Sequence, residues 1–463
     1  MTPPEIVGLA PEVAGAVLAL VLLRGVVWLV RYIRADRMMR VSMRQAIRVR
    51  RSWRRLARMQ GLTVTDRTPS FWAQVSAGAN GGQSKPQEPR VLVPKIRVRA
   101  DRFGVEVRAT TLPRVGLADY QKAAPYLADA WRCTRVSVLP DGPGAVRIRA
   151  VRHDPLASAT DHVPSGQAPE VVSRWNLGLD EYAAEVVVSL AEVPGVTVAG
   201  LPGFGKTSLI NKLICDLAPS SAVQFAVADG KASTAAEGDY ADVADRLFAF
   251  VGDDLAAGNE LFNRMVELRR ARSAAIRSTL GVRNVWHCGP RDSWPLVVLI
   301  IDEAHTFFRE HKGNDPGTKK LAALAAENAR LVEDLVKKGR SVGILVILAT
   351  QKATGDAIPT FIRDVCPVGL SFAQKTIEAA VAALGEDIRN WPEASPVALQ
   401  DPTYVGVAVM TVQGRAGFTR VRTPYVDDSH AARIAADTTH LTRDPAALVV
   451  GEARWNGNGA EAA

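Results

Sequence analysis

The stretch GLPGFGKTS at residues 200–208 decides the fold of this chain. An apolar run at residues 196–199 precedes it, and a run compatible with a helix follows it as far as residue 217. Its three glycines allow backbone conformations that are closed to residues with a Cβ, so successive N–H groups can point inward at a phosphate. Lys206 then places a cation near the β- and γ-phosphates of a nucleotide, and Thr207 offers its hydroxyl to Mg²⁺.

A glycine turn before a helix is common, but such a turn does not require Lys-Thr at this spacing after a strand. The sequence therefore predicts a site for ATP and Mg²⁺. The residues predicted to form its phosphate-binding loop are Gly200, Leu201, Pro202, Gly203, Phe204, Gly205, Lys206, Thr207 and Ser208.

An acidic pair at the end of a second apolar run supports this prediction. Residues 296–301 are continuously apolar, which is typical of a buried parallel strand, and Asp302 and Glu303 follow directly. There the pair would lie in the crevice where open α/β sheets bind ligands. We expect Asp302 to hold Mg²⁺ together with Thr207, and Glu303 to orient and deprotonate the attacking water. An acidic pair is often only solvated, but beside a phosphate-binding loop it predicts hydrolysis.

Three polar residues around the next strand are further candidates. Gln351 lies just past the apolar run at residues 344–349, where its side chain would contact the γ-phosphate or the water and act as a sensor. Arg340 and Arg363 flank this strand, and either would stabilise charge on the transferring phosphoryl group from across a subunit boundary. A surface arginine in a local ion pair is the alternative for each, so which arginine acts in trans stays open.

Several segments, taken in order, carry a family resemblance. They are WNLGLDEYAAEVVVSLAEVPGVTVAGLPGFGKTSLINKLI (175–214), DGK (229–231), LIIDEAHTFF (299–308), GRSVGILVILATQ (339–351) and IPTFIRD (358–364). The ordered set resembles the FtsK/SpoIIIE-type DNA-pumping ATPases, and particularly the actinobacterial Tra proteins that move conjugative elements as double-stranded DNA. The resemblance covers roughly residues 91–425. It implies an α/β fold with a RecA-like P-loop motor, in which a mainly parallel sheet is flanked by helices.

The resemblance also implies an activity and partners. We expect a homo-hexamer that couples ATP hydrolysis to movement of double-stranded DNA through its ring during conjugative transfer, together with other transfer proteins. The alternatives are a chromosome-segregation pump of the same family, a protein-secretion ATPase, and a membrane scaffold that binds ATP without doing work. The chain departs from the family pattern at Phe204, where many members have a serine or threonine, and this change alters the wall of the pocket.

Basic residues are concentrated near the start of the chain. Residues 31–58 contain eleven arginines and one aspartate, a balance of +10 against a net charge of +9 for the whole chain. Residues 13–30, directly before them, are apolar except for Arg24. We expect a single helix that spans the cell membrane, with the motor on its cytoplasmic side; a helix lying on the membrane and a soluble helix that binds nucleic acid or a partner are the alternatives. The arginines at helical spacing on one face are Arg31, Arg34, Arg37, Arg44, Arg48, Arg51, Arg55 and Arg58.

Composition and periodicity predict the remaining organisation. Within the motor, residues 247–277 and 321–338 have helical periodicity. The four cysteines are widely spaced, which argues against a zinc site or a disulfide framework. The predicted segments are a membrane helix plus an arginine-rich helix (1–63), a flexible linker (64–89), a small ββαββ adaptor (90–160), the motor (170–425), and a short helix with a disordered tail (426–463).

Overall fold

The computed structural model describes residues 19, 22–23, 25–66, 90–351 and 357–449. The chain divides into two units, Met1–Pro155 and Leu156–Ala463. The division falls near the predicted end of the adaptor, whereas the predicted divisions at residues 63 and 426 do not separate compact units.

The first unit contains a four-stranded antiparallel sheet. Its elements are α1 (Arg37–Met59), β1 (Val64–Asp66), β2 (Arg90–Leu92), β3 (Ile96–Ala100), β4 (Gly104–Thr110), α2 (Leu117–Trp131), β5 (Arg135–Pro140) and β6 (Ala145–Val151). The spatial order of the sheet is β3-β4-β6-β5, and β1 pairs separately with β2. From β3 onwards the chain therefore follows the ββαββ order that the sequence predicts.

Helix α1 packs into the core of this unit. Val49, Trp53 and Ala57 lie four residues apart, so they share one face, and all three are buried in a cluster with Tyr120 and Trp131. The Trp53 indole N–H donates to the Pro94 carbonyl at 2.8 Å. The separation of residues 1–63 from the adaptor is therefore wrong for α1, because an apolar stripe opposite the arginines covers the sheet.

The predicted arginine face is exposed, but it does not lie on one continuous helix. Residues 25–34 are helical, the chain then breaks at Ala35, and Asp36 caps α1 by accepting the N–H of Met39 at 2.6 Å. Each of the eight arginines predicted on this face is exposed. The cap explains the break, because an aspartate before the first turn satisfies a free backbone N–H.

Half of the predicted membrane helix at residues 13–30 lies outside the described residues. Within the described part, Leu22, Leu23 and Leu29 are among the exposed apolar side chains, with 61%, 64% and 50% of their surface accessible. None of the helices in the described ranges is both long and apolar enough to cross a membrane.

The predicted linker needs one correction. Its first three residues form β1, which pairs antiparallel with β2 through Val64 and Leu92. Val64 and Thr65 are β-branched and suit a strand, but the partner of Val64 lies 28 residues further along the chain and was not visible locally. Residues 67–89 lie outside the described ranges.

The second unit is built around a ten-stranded mixed sheet with the order β11-β10-β12-β13-β9-β14-β15-β16-β7-β8. Six neighbouring strands, from β11 to β14, are parallel, and the other four extend the sheet in antiparallel pairs. The strands are β7 (Arg174–Asp180), β8 (Glu185–Ser189), β9 (Gly195–Ala199), β10 (Val223–Asp229), β11 (Leu247–Val251), β12 (Leu296–Asp302), β13 (Ile344–Thr350), β14 (Val368–Ser371), β15 (Val407–Thr411) and β16 (Phe418–Arg422). The predicted parallel sheet is thus correct for the centre, and the antiparallel extension is an addition to it.

Helices cover both faces of this sheet. One face packs against α3 (Lys206–Leu217), a 3₁₀ segment (Gly238–Arg246) and α9 (Asp428–Thr438). The other packs against α4 (Leu255–Leu280), α5 (His305–Phe308) and α6 (Pro316–Lys338). The remaining helices are α7 (Thr360–Arg363) and α8 (Ile377–Leu384).

One prediction within this unit is wrong: residues 247–251 form strand β11 rather than the start of a helix, because they pair with β10 at the edge of the sheet. The short helix predicted after residue 426 is present as α9. It packs on the motor, because Ala431 is buried in the core on the face of α3.

Candidate active site

The phosphate-binding loop connects the carboxyl end of β9 to α3. Gly200, Gly203 and Gly205 have φ values of 153°, 76° and 102°, so all three lie in backbone conformations that side chains rarely adopt. The N–H of Gly200 donates to the Thr350 carbonyl at 3.2 Å, which ties the loop to β13. A Cβ at Gly200 would lie 2.6 Å from that of Phe372, so the loop is also packed closely from the side of β14.

The other loop residues complete this turn. The N–H of Leu201 donates to the Ala373 carbonyl at 2.9 Å, and the Phe204 carbonyl accepts the N–H of Gly406 at 3.1 Å. Pro202 is exposed, and Ser208 lies in the first turn of α3. The half-buried Phe204 packs against the core. Its place in the wall of a nucleotide pocket stays a prediction.

Lys206 lies at the beginning of α3 and is 4% exposed. Its ammonium donates to the carbonyls of Gly200 and Leu201 at 2.7 and 3.1 Å. Burial lowers the pKa of this lysine to about 8, and the nearby charge of Lys231 acts in the same direction. The cation is thus held inside the loop that would receive the phosphates.

Thr207 and Asp302 come together as predicted. The threonine hydroxyl donates to Oδ2 of Asp302 at 3.1 Å, although the two residues lie 95 positions apart in the chain. Asp302 is fully buried at the end of β12, and its Oδ1 accepts the backbone N–H of Glu303 at 2.8 Å. A hydroxyl and a carboxylate are oxygen ligands of the kind that Mg²⁺ requires, so these residues fit the predicted metal.

Glu303 stands in a strained conformation, with a φ of 48°. Its Oε2 is buried and, among the described residues, has no hydrogen-bond partner. Burial raises the pKa of this carboxyl above its ordinary value, and the charge of Lys231 opposes the rise. Unpaired buried polar atoms are uncommon, and here the atom belongs to the residue predicted to hold a water.

Two side chains that were not predicted as site residues also approach Asp302. The ammonium of Lys231 lies 3.9 Å from Oδ2 and 3.8 Å from the carboxylate of Asp239. The hydroxyl of Tyr240 donates to the same Oδ2 at 3.1 Å. The position of Lys231 two residues after the end of β10 was a usable signal, because β10 and β12 are parallel neighbours. Tyr240 lies in the 3₁₀ segment and gave no such signal.

Gln351 follows Thr350 at the end of β13, and Thr350 pairs with Ala199, the last residue before the loop. The predicted sensor therefore lies at the same edge of the sheet as the loop. Its role stays a prediction.

Arg340 and Arg363 lie at the opposite edge. Each precedes the amino end of its strand, β13 for Arg340 and β14 for Arg363, and both strands run parallel to β9. Arg340 is 52% exposed with Nε 3.4 Å from Glu192, whereas Arg363 donates to the Ala382 carbonyl at 3.0 Å. The seven residues of β13 at about 3.3 Å each separate the two edges by roughly 20 Å, which exceeds the reach of a side chain.

Two family models match separate parts of the chain. Residues 31–152 match the actinomycete conjugal transfer protein N-terminal domain, and residues 174–332 match the FtsK/SpoIIIE family. The resemblance inferred from the motifs is therefore confirmed.

Relatives with curated names match through the motor. The DNA translocase FtsK 2 of Ralstonia nicotianae is 28% identical over 228 residues, which cover 42% of this chain and 26% of the relative. The DNA translocase FtsK of Haemophilus influenzae is 26% identical over 293 residues, which cover 56% of this chain and 50% of the relative. This chain thus spans half or less of the length of these relatives.

A solved structure shares the fold. The pCW3 conjugation coupling protein TcpA, in its monomer form with ATPγS, aligns with a TM-score of 0.50 at 17% sequence identity and covers 76% of this chain and 94% of its own. Together with the family match, this likeness identifies the second unit as a P-loop ATPase domain.

Proposed function

We propose that this chain, which carries a P-loop ATPase domain of FtsK/SpoIIIE type after an actinomycete conjugal transfer domain, is an ATP-driven translocase of double-stranded DNA that acts in conjugative transfer. The observation that carries the proposal is the meeting of Thr207 and Asp302 at 3.1 Å beside the buried Lys206 and the half-buried Glu303. A loop that only bound a nucleotide would not need the glutamate.

The proposed reaction is hydrolysis of ATP. Backbone N–H groups of the loop and the ammonium of Lys206 bind the phosphates, with Lys206 exchanging its two carbonyl contacts for phosphate oxygens. Thr207 and Asp302 hold Mg²⁺, which when bound neutralises charge on the β- and γ-phosphates. The oxygen of a water attacks the γ-phosphorus, the bond to the β–γ bridging oxygen breaks, and Glu303 accepts the proton of the water.

We further propose that Arg340, rather than Arg363, acts across a subunit boundary. Its side chain is half exposed, and its one ion-pair partner among the described residues is the exposed carboxylate of Glu192, so it is able to leave that contact at little cost. Arg363 is committed to a backbone carbonyl. We propose that the ring is a homo-hexamer in which the amino-end edge of one motor faces the phosphate-binding loop of the next. Arg340 of one copy would then supply positive charge to the γ-phosphate bound by its neighbour.

DNA as the substrate is supported by the relatives, which are named DNA translocases, and by the name of the N-terminal family, which is conjugal transfer. Movement of DNA without sequence preference would use phosphate contacts distributed over several subunits. Chromosome segregation, protein secretion and nucleotide binding without work are the competing functions.

The decisive measurement is ATP hydrolysis by the full chain with and without long double-stranded DNA, with Glu303→Gln as the control. We expect DNA to stimulate turnover and the variant to abolish it. Turnover that is indifferent to DNA would favour a protein pump. ATP binding without turnover in any assembly would favour the scaffold.

Segregation and conjugation are separated by a transfer assay in cells. A Glu303→Gln strain is expected to lose conjugative transfer of the element while its chromosome segregates normally. Failure of segregation with intact transfer would overturn the conjugative role.

We also propose that the arginine face of α1 lies on the cytoplasmic side of the cell membrane. Arginines near an anionic surface each contribute about 1 kcal/mol of attraction. We expect the double change of Arg48 and Arg55 to Gln to weaken binding of the full chain to phosphatidylserine vesicles, most clearly at low salt. The matched control changes Arg270 and Arg277, which are exposed on α4 of the other unit, and should bind as the unchanged chain does. Equal loss in both variants would contradict a specific role for α1.

A further inference from the structure

Tyr240 is a fully buried tyrosine whose hydroxyl donates to Oδ2 of Asp302 at 3.1 Å. The same oxygen accepts the hydroxyl of Thr207 at 3.1 Å, while Oδ1 accepts the N–H of Glu303 at 2.8 Å. Three donors from three different elements therefore fix the plane of one carboxylate. Of these three, only Tyr240 lies outside the two motifs from which the active site was predicted.

The segment that carries Tyr240 is fixed at its far end by Arg246. This guanidinium is fully buried and donates to backbone carbonyls of Ala218, Ser220 and Val223 at 2.9–3.0 Å. These contacts join the segment to the end of α3 and the start of β10. A buried guanidinium with several good acceptors resists movement, because each lost bond would leave a charged donor unsatisfied.

The near end of the segment is fixed by close packing. Gly238 has a φ of 76°, and a Cβ there would lie 2.9 Å from that of Ala232 and 3.2 Å from Oδ2 of Asp229. The ring of Tyr240 belongs to the same apolar cluster as Leu209 of α3. The hydroxyl of Tyr240 is thus held in place by a backbone segment that is fixed at both of its ends.

We propose that Tyr240 is a positioning residue that orients Asp302 for Mg²⁺. A carboxylate oxygen has two lone-pair directions. Tyr240 occupies one of them, and the other, now taken by the hydroxyl of Thr207, is left for the metal. The inference rests on the proposed ATPase function and adds a residue to it.

The test is the Mg²⁺ dependence of ATPγS binding to the full chain carrying Tyr240→Phe, measured by calorimetry. We expect the half-saturating Mg²⁺ concentration to rise about tenfold, the factor that corresponds to loss of one hydrogen bond to a charged group. Binding of ATPγS in EDTA should stay unchanged, because the loop and Lys206 are untouched. This measurement needs no ATP turnover, so it tests the role of Tyr240 separately from the proposed ATPase function. If the unchanged chain does not bind ATPγS at all, the proposed ATPase function is contradicted.

Tyr425→Phe is the matched control. Its hydroxyl also donates to an aspartate, Asp428, at 3.1 Å, but on an exposed surface. The control should leave the Mg²⁺ dependence unchanged. An unshifted Mg²⁺ dependence in Tyr240→Phe, or equal weakening of binding in EDTA, would overturn the proposal, because either result gives Tyr240 a merely structural role.

A double-variant cycle gives an independent check. If Tyr240 acts through Asp302, then Tyr240→Phe should have no further effect on Mg²⁺ dependence in a chain that already carries Asp302→Asn. A full additional shift in that background would contradict the proposed route. Thermal unfolding of each variant confirms that the comparison is made on folded protein.

Discussion

The two edges of the central sheet differ in what they present. At the carboxyl-end edge, the hydroxyl of Thr207 and the N–H of Glu303 donate to the buried Asp302, and the buried Lys206 is held inside the loop by two backbone carbonyls. At the amino-end edge, Arg340 stands half exposed beside one exposed carboxylate. The sequence predicted that one of the arginines acts from across a subunit boundary, and the sheet places both arginines at the edge opposite the loop.

This difference separates what one chain provides from what an assembly must add. The carboxyl-end edge holds the groups that we propose bind phosphates, a metal and a water. An arginine directed at the γ-phosphate would have to come from the other edge of a second copy. Substitutions at each edge test whether the two edges act together from different copies of the chain.

The largest effect is expected from Glu303→Gln at the carboxyl-end edge. ATP turnover should fall about 10⁴-fold, the upper range for loss of a general base, because the amide cannot accept the proton. ATPγS affinity should stay close to that of the unchanged chain, since the phosphates are held by Lys206 and the loop. Steady-state hydrolysis and calorimetry measure the two quantities, and a parallel loss of both would contradict the assigned role.

Arg340→Ala at the amino-end edge should lower turnover about 10³-fold, the lower range for a trans-acting arginine, without weakening nucleotide binding. Mixing it with Lys206→Ala should restore part of the activity, because an intact loop from one chain then meets an intact Arg340 from the other. Arg283→Ala is the control, since this exposed arginine lies next to Asn284, which also contacts Glu192. Mixtures that stay inactive would contradict action in trans.

A smaller effect is expected from Gly200→Ala. The left-handed backbone costs about 1–2 kcal/mol and the overpacking against Phe372 a further 1–3 kcal/mol or so. Gly203→Ala shares the positive φ, but an added Cβ there meets nothing within 4 Å, so it should show only the backbone cost. The free energy of unfolding of both variants is measured by urea denaturation, using the unfolding transition that moves to higher urea concentration when ATPγS is added. Equal losses would contradict the packing argument.

The smallest effect is expected from Glu192→Gln, which removes the charge beside Arg340 but keeps an oxygen for Asn284. The free energy of unfolding should change by less than about 1 kcal/mol, because the pair is exposed. Turnover should be retained. A large loss of turnover would show that Glu192 positions Arg340 for catalysis.

Much of the fold was predictable from local patterns. Continuous apolar runs before Gly200 and Asp302 indicated buried parallel strands, and both strands lie at the centre of the sheet. Strand β11 was not predictable, because its five residues are all apolar, a run that suits a helix or a strand, and they become a strand by pairing with β10. The prediction of a linker was wrong at β1 for the same reason, because its partner β2 follows the predicted linker.

The candidate site divides in the same way. Glycines, a lysine, a threonine and two carboxylates at fixed spacing carry their chemistry in the sequence itself. Tyr240 does not, because its contact with Asp302 spans 62 residues and depends on how the 3₁₀ segment is placed. Helix α1 was predicted from its arginines as a membrane-facing element, while its buried face had no visible partner.

The sequence by itself determined the phosphate-binding loop, the acidic pair and the central strands, because backbone freedom, hydrophobic periodicity and charge act within a few residues. The tertiary structure alone decided that Tyr240 meets Asp302, that α1 covers the adaptor sheet, and that the two arginines face away from the loop. These relations depend on strand order and on the direction in which each strand runs. Both are set by packing over long sequence separations, which no local pattern records.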